Sequence, residues 1–597
     1  MMHISPTSLK VSQLLGTANE QYVIPPYQRR YSWRERQIWE LLEDIDLLEG
    51  SDVHLLGSIV CLTGRHSANM NPLELVDGQQ RLTTICILLE SLKKRFVEEG
   101  VDDEEQWRSL ARLLIARNSG GDSSSKIALN TLDSDEFKSL AASEEIDFGA
   151  YQNQRLANAF GTIRAWLSEK TLEDLVAFSF KLQNQALIVR LDASDAKDAF
   201  KLFETINNRG LRLSPTDIVK NFLLGNAARF GPQQLEGAKK EWAKLLSHLD
   251  GTDTDAFFRY FLIASTQRRI TKNQVIPEFK TLFMNEVVEA RQLPDRHLYA
   301  DEEEIEDDNL DDGVDIKDIE IEETSAEQIT FAAFLKRIVT SAKVFGELVL
   351  GATGSKQIDR HLRNLRMIKS AQTYGFLMHL RAGGIDDKTF VQILKLTESF
   401  VLRRHICRER ANETETLFAK LCEVDPTDPI SATRKAYRDA CPSDDKFALE
   451  FASANYSANI IDRARYCLEQ IEIRRHGKHT ELAVLGAEDV HVEHIIPQKI
   501  TTAKSKRDWG DWITYLGEKA NILHPRLVSR IGNLTLFAGE LNISASNNPF
   551  VAKKSAYKQS AILVTQDLAV MPAFKFKQVE ARSVDLAGLA VQYWPRP

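Results

Sequence analysis

Residues 73–96, LELVDGQQRLTTICILLESLKKRF, restrict the fold more than any other stretch of the chain. A short apolar run ends at Asp77, Gly78 supplies a tight turn, and a long helical pattern of apolar residues starts immediately after it. A strand that passes directly into a helix is typical of a sheet with helices packed against it. The sequence therefore predicts an α+β architecture for this part of the chain.

The same junction has the chemistry of a phosphate site. Free backbone N–H groups and the positive end of the dipole at a helix start favour an anion, and glycine lets a phosphate approach the backbone. Arg81 offers a bidentate guanidinium contact, and Asp77 offers a carboxylate that can hold a divalent cation or position a water. A tight turn with surface polar residues is the plain alternative, because the chain has no Walker A sequence.

The chain is long enough for several domains. Its 597 residues exceed what one hydrophobic core usually organises, and 43% hydrophobic and 27% charged residues are ordinary for globular proteins. No uncharged stretch approaches the roughly 20 residues of a membrane span, so we expect a cytoplasmic protein without a membrane partner. The six cysteines form no C-x-x-C pair, which predicts reduced, mostly buried thiols.

The acidic residues are concentrated in one place. Residues 301–323, DEEEIEDDNLDDGVDIKDIEIEE, contain fourteen acidic residues and one lysine, so this segment has a charge of −13. The whole chain has a net charge of −9, and the residues outside the segment therefore have a net charge of +4. A block of like charges repels itself, so a solvated linker is the plain interpretation. The sharper alternative is an internal nucleic-acid mimic that occupies a basic groove in the absence of substrate.

Two further segments place polar residues at helix boundaries. In residues 22–45, YVIPPYQRRYSWRERQIWELLEDI, a proline pair excludes a helix, so an arginine-bearing loop precedes an amphipathic helix. In residues 198–224, DAFKLFETINNRGLRLSPTDIVKNFLL, one helix stops at the INNRG sequence and another restarts with Ser214 as its N-cap. Arg209 thus lies at a helix junction, where turn residues are more common than ligands.

The segments IPPYQRRYSW, LVDGQQRLTT and FETINNRGLRLSPTDIVK, in this order, resemble the N-terminal domain of GmrSD-type, modification-dependent restriction enzymes. The core of that domain is similar to the ParB/sulfiredoxin fold, and the resemblance spans about residues 8–228. It implies binding and hydrolysis of a nucleoside triphosphate (GTP, UTP or ATP) with a divalent cation. The site that it implies contains Asp77, Gly78, Gln80, Arg81 and Arg209, with Asp77 also in a catalytic role.

The resemblance extends to the arginine-bearing loop. In SspE-like, phosphorothioate-sensing relatives, this loop contributes to the recognition of the DNA modification. The residues that occupy it here are Tyr27, Gln28 and Arg29. We therefore expect these three residues to lie beside the nucleotide site and to contact modified DNA.

Residues 229–470 have mainly helical apolar spacing and are expected to be scaffold. Within them, FVLRRHICRERANETETL places several arginines on one predicted helix, among them Arg403 and Arg404. These side chains either contact DNA phosphates, which gives a salt-dependent affinity, or pair with the acidic segment or with nearby glutamates such as Glu413. The spacing leaves both interpretations open.

Residues 491–498, HVEHIIPQ, combine two histidines, a glutamate and a proline that ends a strand. IGNLTLF at 531–537 alternates as a second strand, and a helix that carries Lys553 and Lys554 follows. This order resembles the ββα-metal fold of HNH endonucleases. Phosphodiester hydrolysis needs a general base, which histidine provides near neutral pH, and a hard cation such as Mg²⁺, which oxygen ligands of Glu and Asn suit.

The HNH resemblance implies a role for each polar residue. His494 is the general base, Glu493 and Asn542 bind Mg²⁺ or another divalent cation, and the central Asn533 orients the loop and the base. The position of Asn542 departs from HNH sequences that have a third histidine there. Alternation on a regular strand offers another assignment, in which His491 shares a face with Glu493 and is a metal ligand.

We expect Lys553 and Lys554, on the helix that completes the ββα unit, to contact DNA. This second resemblance spans about residues 472–575 and is to the GmrD-type HNH domain. The expected division is therefore a ParB-like domain at 1–228, a helical region at 229–470 with the acidic linker 301–323, and an HNH domain at 471–597.

Both halves of a GmrSD-type enzyme thus occur in one chain. The leading interpretation is a bacterial anti-phage endonuclease that cuts modified double-stranded DNA, with a nucleoside triphosphate in the first domain controlling the HNH domain. The first alternative is a DNA-binding sensor NTPase whose HNH domain is weak or inactive and which acts by binding or through partners; an RNA-directed HNH nuclease is a further one. A homo-oligomer is left open.

Overall fold

The computed structural model describes residues 4–63, 69–101, 105–130, 132–207, 214–292, 328–423, 428–457, 460–477, 490–501, 510–538 and 549–597. Three predictions fall outside these residues: the nucleotide ligand Arg209, the metal ligand Asn542 and the acidic segment 301–323. The chain divides into two units, Met1–Phe258 with Lys272–Ala342, and Arg259–Thr271 with Lys343–Pro597. The domain limits at 228 and 470 stay a prediction.

The first unit contains a mixed sheet. Its strands are β1 (Ile4–Lys10), β2 (Glu20–Val23), β3 (His54–Thr63), β4 (Asn71–Asp77), β5 (Ile115–Arg117), β6 (Ser123–Ser125), β7 (Ile127–Ala128) and β8 (Ala186–Ala193). Six of them form one sheet in the order β1-β8-β3-β4-β2-β7, and β5 pairs with β6. β4 is antiparallel to β3 and parallel to β2, so it lies inside the sheet, where both of its edges are hydrogen-bonded.

The helices up to residue 291 are α1 (Val11–Gly16), α2 (Glu35–Asp46), α3 (Gln79–Glu98), α4 (Glu105–Leu113), α5 (Ser134–Ala142), α6 (Gln154–Ser168), α7 (Leu172–Asn184), α8 (Ala196–Asn207), α9 (Pro215–Phe230), α10 (Pro232–His248), α11 (Thr254–Thr266), α12 (Val275–Glu286) and α13 (Val288–Arg291). The strand, turn and helix predicted for residues 73–96 are confirmed as β4, Gly78 and α3. Gly78 has φ of 85°, a left-handed conformation that favours glycine.

The helix α3 is buried on nearly all sides, so its start is held rigidly. Residues 82–89 are all buried, and the helix packs against α4 and α6. Each buried leucine or isoleucine in this part of the helix contributes about 1.5–3 kcal/mol. The turn at Gly78 is therefore fixed between a central strand and a core helix.

The helices from residue 331 on are α14 (Phe331–Leu350), α15 (Lys356–Met367), α16 (Tyr374–Ala382), α17 (Asp387–Ile406), α18 (Ala411–Lys420), α19 (Pro429–Ala440), α20 (Asp444–Ser453), α21 (Ile461–Arg475), α22 (Trp512–Leu516), α23 (Ala520–Leu527), α24 (Phe550–Gln559), α25 (Leu563–Ala569) and α26 (Phe576–Tyr593). Two strands, β9 (Val490–His494) and β10 (Leu534–Ala538), form an antiparallel pair. The predicted α+β character and the mainly helical middle region are confirmed for the described residues.

None of the helices among the described residues combines the length and the apolarity that crossing a membrane requires. All six cysteines are buried and free of disulfides, as the sequence predicted. Burial raises the pKa of the Cys407 thiol to about 11, so that thiol stays protonated near neutral pH.

The last part of the second unit has its own apolar core, which α24 and α26 share with the β9–β10 pair. The rings of Phe537 on β10 and Tyr557 on α24 lie 5.3 Å apart, which joins the helix to the strands. The other buried members of this core are Ile495, Ile496, Ile500, Trp512, Leu516, Ala520, Leu527, Phe550, Ala556, Leu568, Phe574, Phe576 and Val579.

The structure corrects the prediction that Arg403 contacts DNA phosphates. Arg403 is 0% exposed, and its guanidinium donates to the carbonyls of Trp594 (2.9 Å) and Pro442 (3.0 Å) and to Asp444 (2.6 Å). It also lies 4.6 Å from the centre of the Phe447 ring. These contacts, all with residues distant in sequence, leave the guanidinium no surface from which to reach DNA.

The prediction that Arg404 contacts DNA phosphates is corrected for the same reason. It is buried, and it donates to Thr414 Oγ1 (2.9 Å), to the carbonyl of Ala440 (2.7 Å) and to Glu413 (3.3 Å). The alternative interpretation, in which these arginines pair with nearby glutamates, is therefore confirmed for Arg404.

Replacing Arg403 with alanine is expected to destabilise the second unit by about 3 kcal/mol or more, because two buried carbonyls lose their donors. Arg410, which is 82% exposed, is the matched control, and Arg410→Ala should cost about 0.5 kcal/mol or less. Urea unfolding with hydrogen exchange of α17 and α20 measures this difference. The opposite result would be a stable Arg403→Ala variant whose plot of log K for DNA binding against log salt concentration is less steep by about one. That result would show that Arg403 does contact a DNA phosphate.

Candidate functional site

The structure brings the three N-terminal motif segments together beside the β4–α3 turn. The arginine-bearing loop reaches it through Gln28, whose amide donates to the carbonyls of Leu75 (3.1 Å) and Val76 (2.8 Å) on β4. The helix α9 reaches it through Lys220, whose ammonium lies 2.5 Å from Gln28 Oε1. Residues far apart in sequence therefore form one polar cluster at the start of α3.

Asp77 is the acidic residue of this cluster at the turn. Burial raises the pKa of its carboxyl, and the backbone N–H of Gly78, Arg81 and Lys220 oppose that shift. Arg81 donates from Nη1 to the carbonyl of Ser58 (2.8 Å), and burial lowers the pKa of its guanidinium, with Asp77 opposing. A carboxylate and a guanidinium therefore flank Gly78 in partly buried surroundings, where charges interact strongly.

Gln80 is placed differently from its predicted role as a nucleotide ligand. Its Oε1 accepts from the backbone N–H of Ser32 (2.7 Å), and its Nε2 donates to the carbonyl of Arg30 (3.3 Å). The side chain thus fixes the arginine-bearing loop to α3. The prediction that Gln80 binds the nucleotide is therefore wrong for this structure, because both polar atoms of its amide bond to the loop. Gln80 positions the site instead of contacting the ligand.

Gln79, the neighbour of Gln80 in the DGQQR motif, was not predicted from the sequence as a site residue. Its Oε1 is buried and has no hydrogen-bond partner within the part of the chain that the structure describes. A buried polar atom without a partner is costly, so such an atom points to a missing ligand or water.

The prediction that Tyr27 and Gln28 contact DNA directly is also corrected, because both side chains are buried. The Tyr27 hydroxyl donates to Glu74 Oε1 (2.5 Å), and Lys239 lies 5.4 Å from the centre of its ring. Of the three loop residues, Arg29 alone is substantially exposed, and it lies 3.4 Å from Asp217. Arg29 is therefore the loop residue placed to meet a ligand from solvent.

Asp217 and Lys220 on α9 are cluster members that the sequence analysis did not assign to the site. Their carboxylate and ammonium are 3.8 Å apart, and Ser214 caps the helix by accepting from the backbone N–H of Asp217 (3.2 Å). Burial lowers the pKa of Lys220, and Asp217 opposes that shift. The signal was present in the sequence, because residues three apart on a helix share a face.

The β9–β10 pair of the second unit holds the predicted nuclease residues. Glu493 lies opposite Thr535, and His494 opposite Leu534, in a regular antiparallel register. His491 is exposed and lies on the same side of β9 as Glu493, which keeps the alternative metal assignment open. Nowhere among the described residues do three or more His, Cys, Asp or Glu side chains form a group able to hold a metal ion.

Asn533 fixes the chain just after His494. It is 0% exposed; its Oδ1 accepts from the backbone N–H of Ile496 (2.8 Å), and its Nδ2 donates to the carbonyls of Ile496 (2.9 Å) and Val528 (2.8 Å). The backbone N–H of Ile495 also donates to the Asn533 carbonyl (2.9 Å). The Asn533 amide thus bonds to both the N–H and the carbonyl of Ile496, and these bonds hold the residues that follow His494 in place.

The environment of His494 keeps its imidazole neutral. Burial, followed by the charges of Lys553 and His524, lowers the pKa of His494 to about 4. His524 itself is anchored, since its Nε2 lies 2.7 Å from the carbonyl of Pro497. Gln498 Nε2 is 3.3 Å from His494 Nε2. A neutral imidazole is the form that can accept a proton from water.

Lys553 contacts the site directly and is 0% exposed. Its Nζ lies 2.6 Å from Glu493 Oε1 and within 3.3 Å of the carbonyls of His494 and Ile495. Burial raises the pKa of Glu493 and lowers that of Lys553, and each opposes the shift of the other. The prediction that Lys553 contacts DNA is corrected for this arrangement, because its ammonium is enclosed; Lys554 is partly exposed.

Comparison with protein families explains why these two sites occur together. Residues 11–224 match the model of the GmrSD restriction endonuclease, N-terminal domain, and residues 441–589 match that of the GmrSD restriction endonucleases, C-terminal domain. The protein is therefore a restriction-type nuclease, an enzyme whose substrate is DNA. It belongs to the GmrSD restriction endonuclease family. No match was found among curated proteins.

Proposed function

We propose that the protein is an HNH-type endonuclease that cuts modified double-stranded DNA, under the control of a nucleoside triphosphate bound in a ParB-like first domain. The observation that carries the nuclease assignment is the placement of His494 at the end of β9, beside Glu493 and next to the chain that the buried Asn533 holds. This arrangement joins a proton acceptor to a candidate metal ligand on one short strand.

In the proposed reaction, His494 accepts a proton from a water as the water oxygen attacks phosphorus and one P–O ester bond breaks. Glu493, with Asn542 or His491, would hold a divalent cation. That cation would supply charge neutralisation at the phosphate and at the leaving oxygen. The donor set fits, since carboxylate and amide oxygens suit Mg²⁺. Asn533 acts through the backbone, because its three hydrogen bonds fix the chain that positions His494.

The first unit supports nucleotide binding through polar groups around the start of α3. The carboxylate of Asp77 and the guanidinium of Arg81 flank a left-handed glycine. The buried Gln79 Oε1, which has no hydrogen-bond partner among the described residues, is an acceptor that suits a cation. Asp77 would hold the divalent cation, and the helix start and Arg81 would bind phosphates. Lys220 adds a second buried cation close to this turn. These groups fit a triphosphate with its metal.

Recognition of a DNA modification is proposed for the exposed Arg29, which lies beside the nucleotide cluster. Gln28 and Gln80 fasten its loop to β4 and α3, so a change at the nucleotide would be transmitted to the loop. Defence against phage follows as the biological role that such selectivity serves.

A second candidate function is a DNA-binding sensor NTPase with a weak nuclease. One observation favours it: the carboxylate of Glu493 is already neutralised by the buried Lys553, at 2.6 Å. A site that keeps its metal ligand paired is not poised for cleavage. In this case the protein would act by binding DNA or through partner proteins.

The test of the proposed function is cleavage of unmodified plasmid, hydroxymethylated or glucosylated phage DNA, and phosphorothioate DNA by the purified protein. Each substrate is incubated with Mg²⁺, with and without GTP, UTP or ATP. We expect selective cutting of one modified substrate, with a nucleotide-dependent rate. No cutting of any substrate, together with DNA-stimulated nucleotide hydrolysis, would favour the sensor function instead.

For the nucleotide site, Asp77→Ala is expected to lower nucleotide hydrolysis about 100-fold or more, because the carboxylate holds the cation. Removal of a buried carboxyl should leave the fold intact, which circular dichroism checks. Asp198→Ala, at a partly exposed residue of the same unit, is the control and should hydrolyse nucleotide like the unchanged protein. Hydrolysis that is equal in both variants would reject Asp77 as part of the site.

A further inference from the structure

Lys553 is a buried charged residue whose placement the proposed catalytic roles leave unexplained. Its ammonium has three hydrogens and three acceptors, namely Glu493 Oε1 at 2.6 Å and the carbonyls of His494 at 3.2 Å and Ile495 at 3.3 Å. All three acceptors lie at the end of β9. The lysine therefore replaces solvent and counter-ion at the point where the proposed cation would bind.

We propose that Lys553 is a tethered counter-ion of Glu493, which a divalent cation must displace before the nuclease site is complete. The inference rests on the proposed function, since it takes Glu493 as the metal ligand. The exchange is one of position only: the ammonium leaves Glu493 Oε1, the divalent cation binds there, and the lysine stays protonated with no covalent bond formed or broken.

Burial explains why such a counter-ion is present. The Glu493 side chain is 12% exposed, so an unpaired carboxylate there would lack most of its hydration. Lys553 compensates this charge from α24, which the contact between Phe537 and Tyr557 fixes against β10. The resting site is thus stable without metal, because the protein itself supplies the cation.

Repulsion explains why the two cations exclude each other. An ammonium at Glu493 Oε1 and a divalent cation at the same carboxylate would lie a few ångströms apart in poorly hydrated surroundings, where like charges repel strongly. The lysine stem is flexible, so the ammonium can turn away.

The proposal makes Lys553 a positioning residue whose removal strengthens divalent-cation binding. In Lys553→Met the stem is retained and the competing charge is lost. We expect Mn²⁺ to bind Lys553→Met about tenfold more tightly than the unchanged protein, and to raise its unfolding temperature by more. Lys558→Met removes the same charge from an exposed position on the same helix and should bind Mn²⁺ as the unchanged protein does.

The measurements are isothermal titration with MnCl₂ and thermal unfolding across a MnCl₂ series, both on the full chain without DNA. Equal or weaker Mn²⁺ binding by Lys553→Met than by Lys558→Met would overturn the proposal. If Lys553→Met folds poorly without metal, Mn²⁺ should restore its folding, whereas a merely structural lysine would give a variant that Mn²⁺ does not rescue.

A double variant shows whether the effect passes through Glu493. Glu493→Gln with Lys553→Met removes both charges, which is better tolerated than removing one. Its Mn²⁺ affinity should lose the gain seen in Lys553→Met; a retained gain would place the cation elsewhere and reject the exchange. If the unchanged protein cuts no DNA, the proposed function is wrong. If it cuts DNA normally but Lys553→Met binds Mn²⁺ no more tightly, only the proposal that Lys553 is a counter-ion is wrong.

Discussion

His494→Ala is expected to lower the rate of DNA cleavage about 1000-fold, the usual scale for loss of a positioned general base. The imidazole is neutral near pH 7, because burial and the charges of Lys553 and His524 lower its pKa to about 4. DNA binding and folding should persist, since the hydrogen bonds between its side chain and Gln498 are long, at 3.3 and 3.5 Å.

His491→Ala is the matched comparison, since it removes the same chemical group three residues away on β9. If Glu493 and Asn542 bind the metal, this variant should retain most of the cleavage. If His491 is a ligand instead, the variant should need more Mg²⁺ for half-maximal cleavage. Rates measured across a Mg²⁺ series separate these outcomes. Cleavage by His494→Ala at the rate of the unchanged protein would exclude His494 as the base.

The local elements around both sites were predictable, because short-range rules determine them. Gly78 follows an apolar strand and precedes a helical pattern, and the structure places β4, a left-handed glycine and α3 there. Ser214 was predicted as an N-cap before a proline, and α9 begins at Pro215 with that cap. Each of these signals lies within a few residues of the feature that it determines.

The partners of the charged residues were not predictable, because they come from distant parts of the chain. Lys220 meets Gln28 across 192 residues, and Arg403 meets the Trp594 carbonyl across 191. A helix with several arginines looks the same in sequence whether they face solvent or a core. Whether such a residue binds DNA or fills a cavity is therefore decided by packing that local spacing does not encode.

The nuclease site shows both effects within one region. The first strand was predicted from the proline that ends it and the second from the alternation of IGNLTLF, but β10 starts only at Leu534, because residues 531–533 form a 3₁₀ turn. The family resemblance implied an orienting role for Asn533, which the structure gives three hydrogen bonds to the backbone. Lys553 was predicted to contact DNA as part of the helix that completes the ββα unit. Its burial against Glu493 depends on how α24 packs on the strand pair, 60 residues away in sequence.

Gly532→Ala is expected to destabilise the nuclease part of the second unit by about 3 kcal/mol or more, beyond the usual cost of overpacking. A Cβ at this position would lie 2.1 Å from the carbonyl oxygen of Val579 and 2.4 Å from Ser583 Oγ, both on α26. The backbone N–H of Gly532 also donates to Ser583 Oγ (3.1 Å). Neither a backbone carbonyl nor a helix can move aside cheaply, so α26 must separate from the turn.

The damage should reach the nuclease site, because the next residue is Asn533, whose hydrogen bonds hold the chain after His494. Gly588→Ala is the control on the same helix: its Cβ would meet nothing within 4 Å, so a gain of about 0.5–1 kcal/mol is expected from helix propensity. Urea unfolding and cleavage at a low temperature measure both consequences. Equal stability of the two variants would show that α26 does not pack this closely on the turn before Asn533.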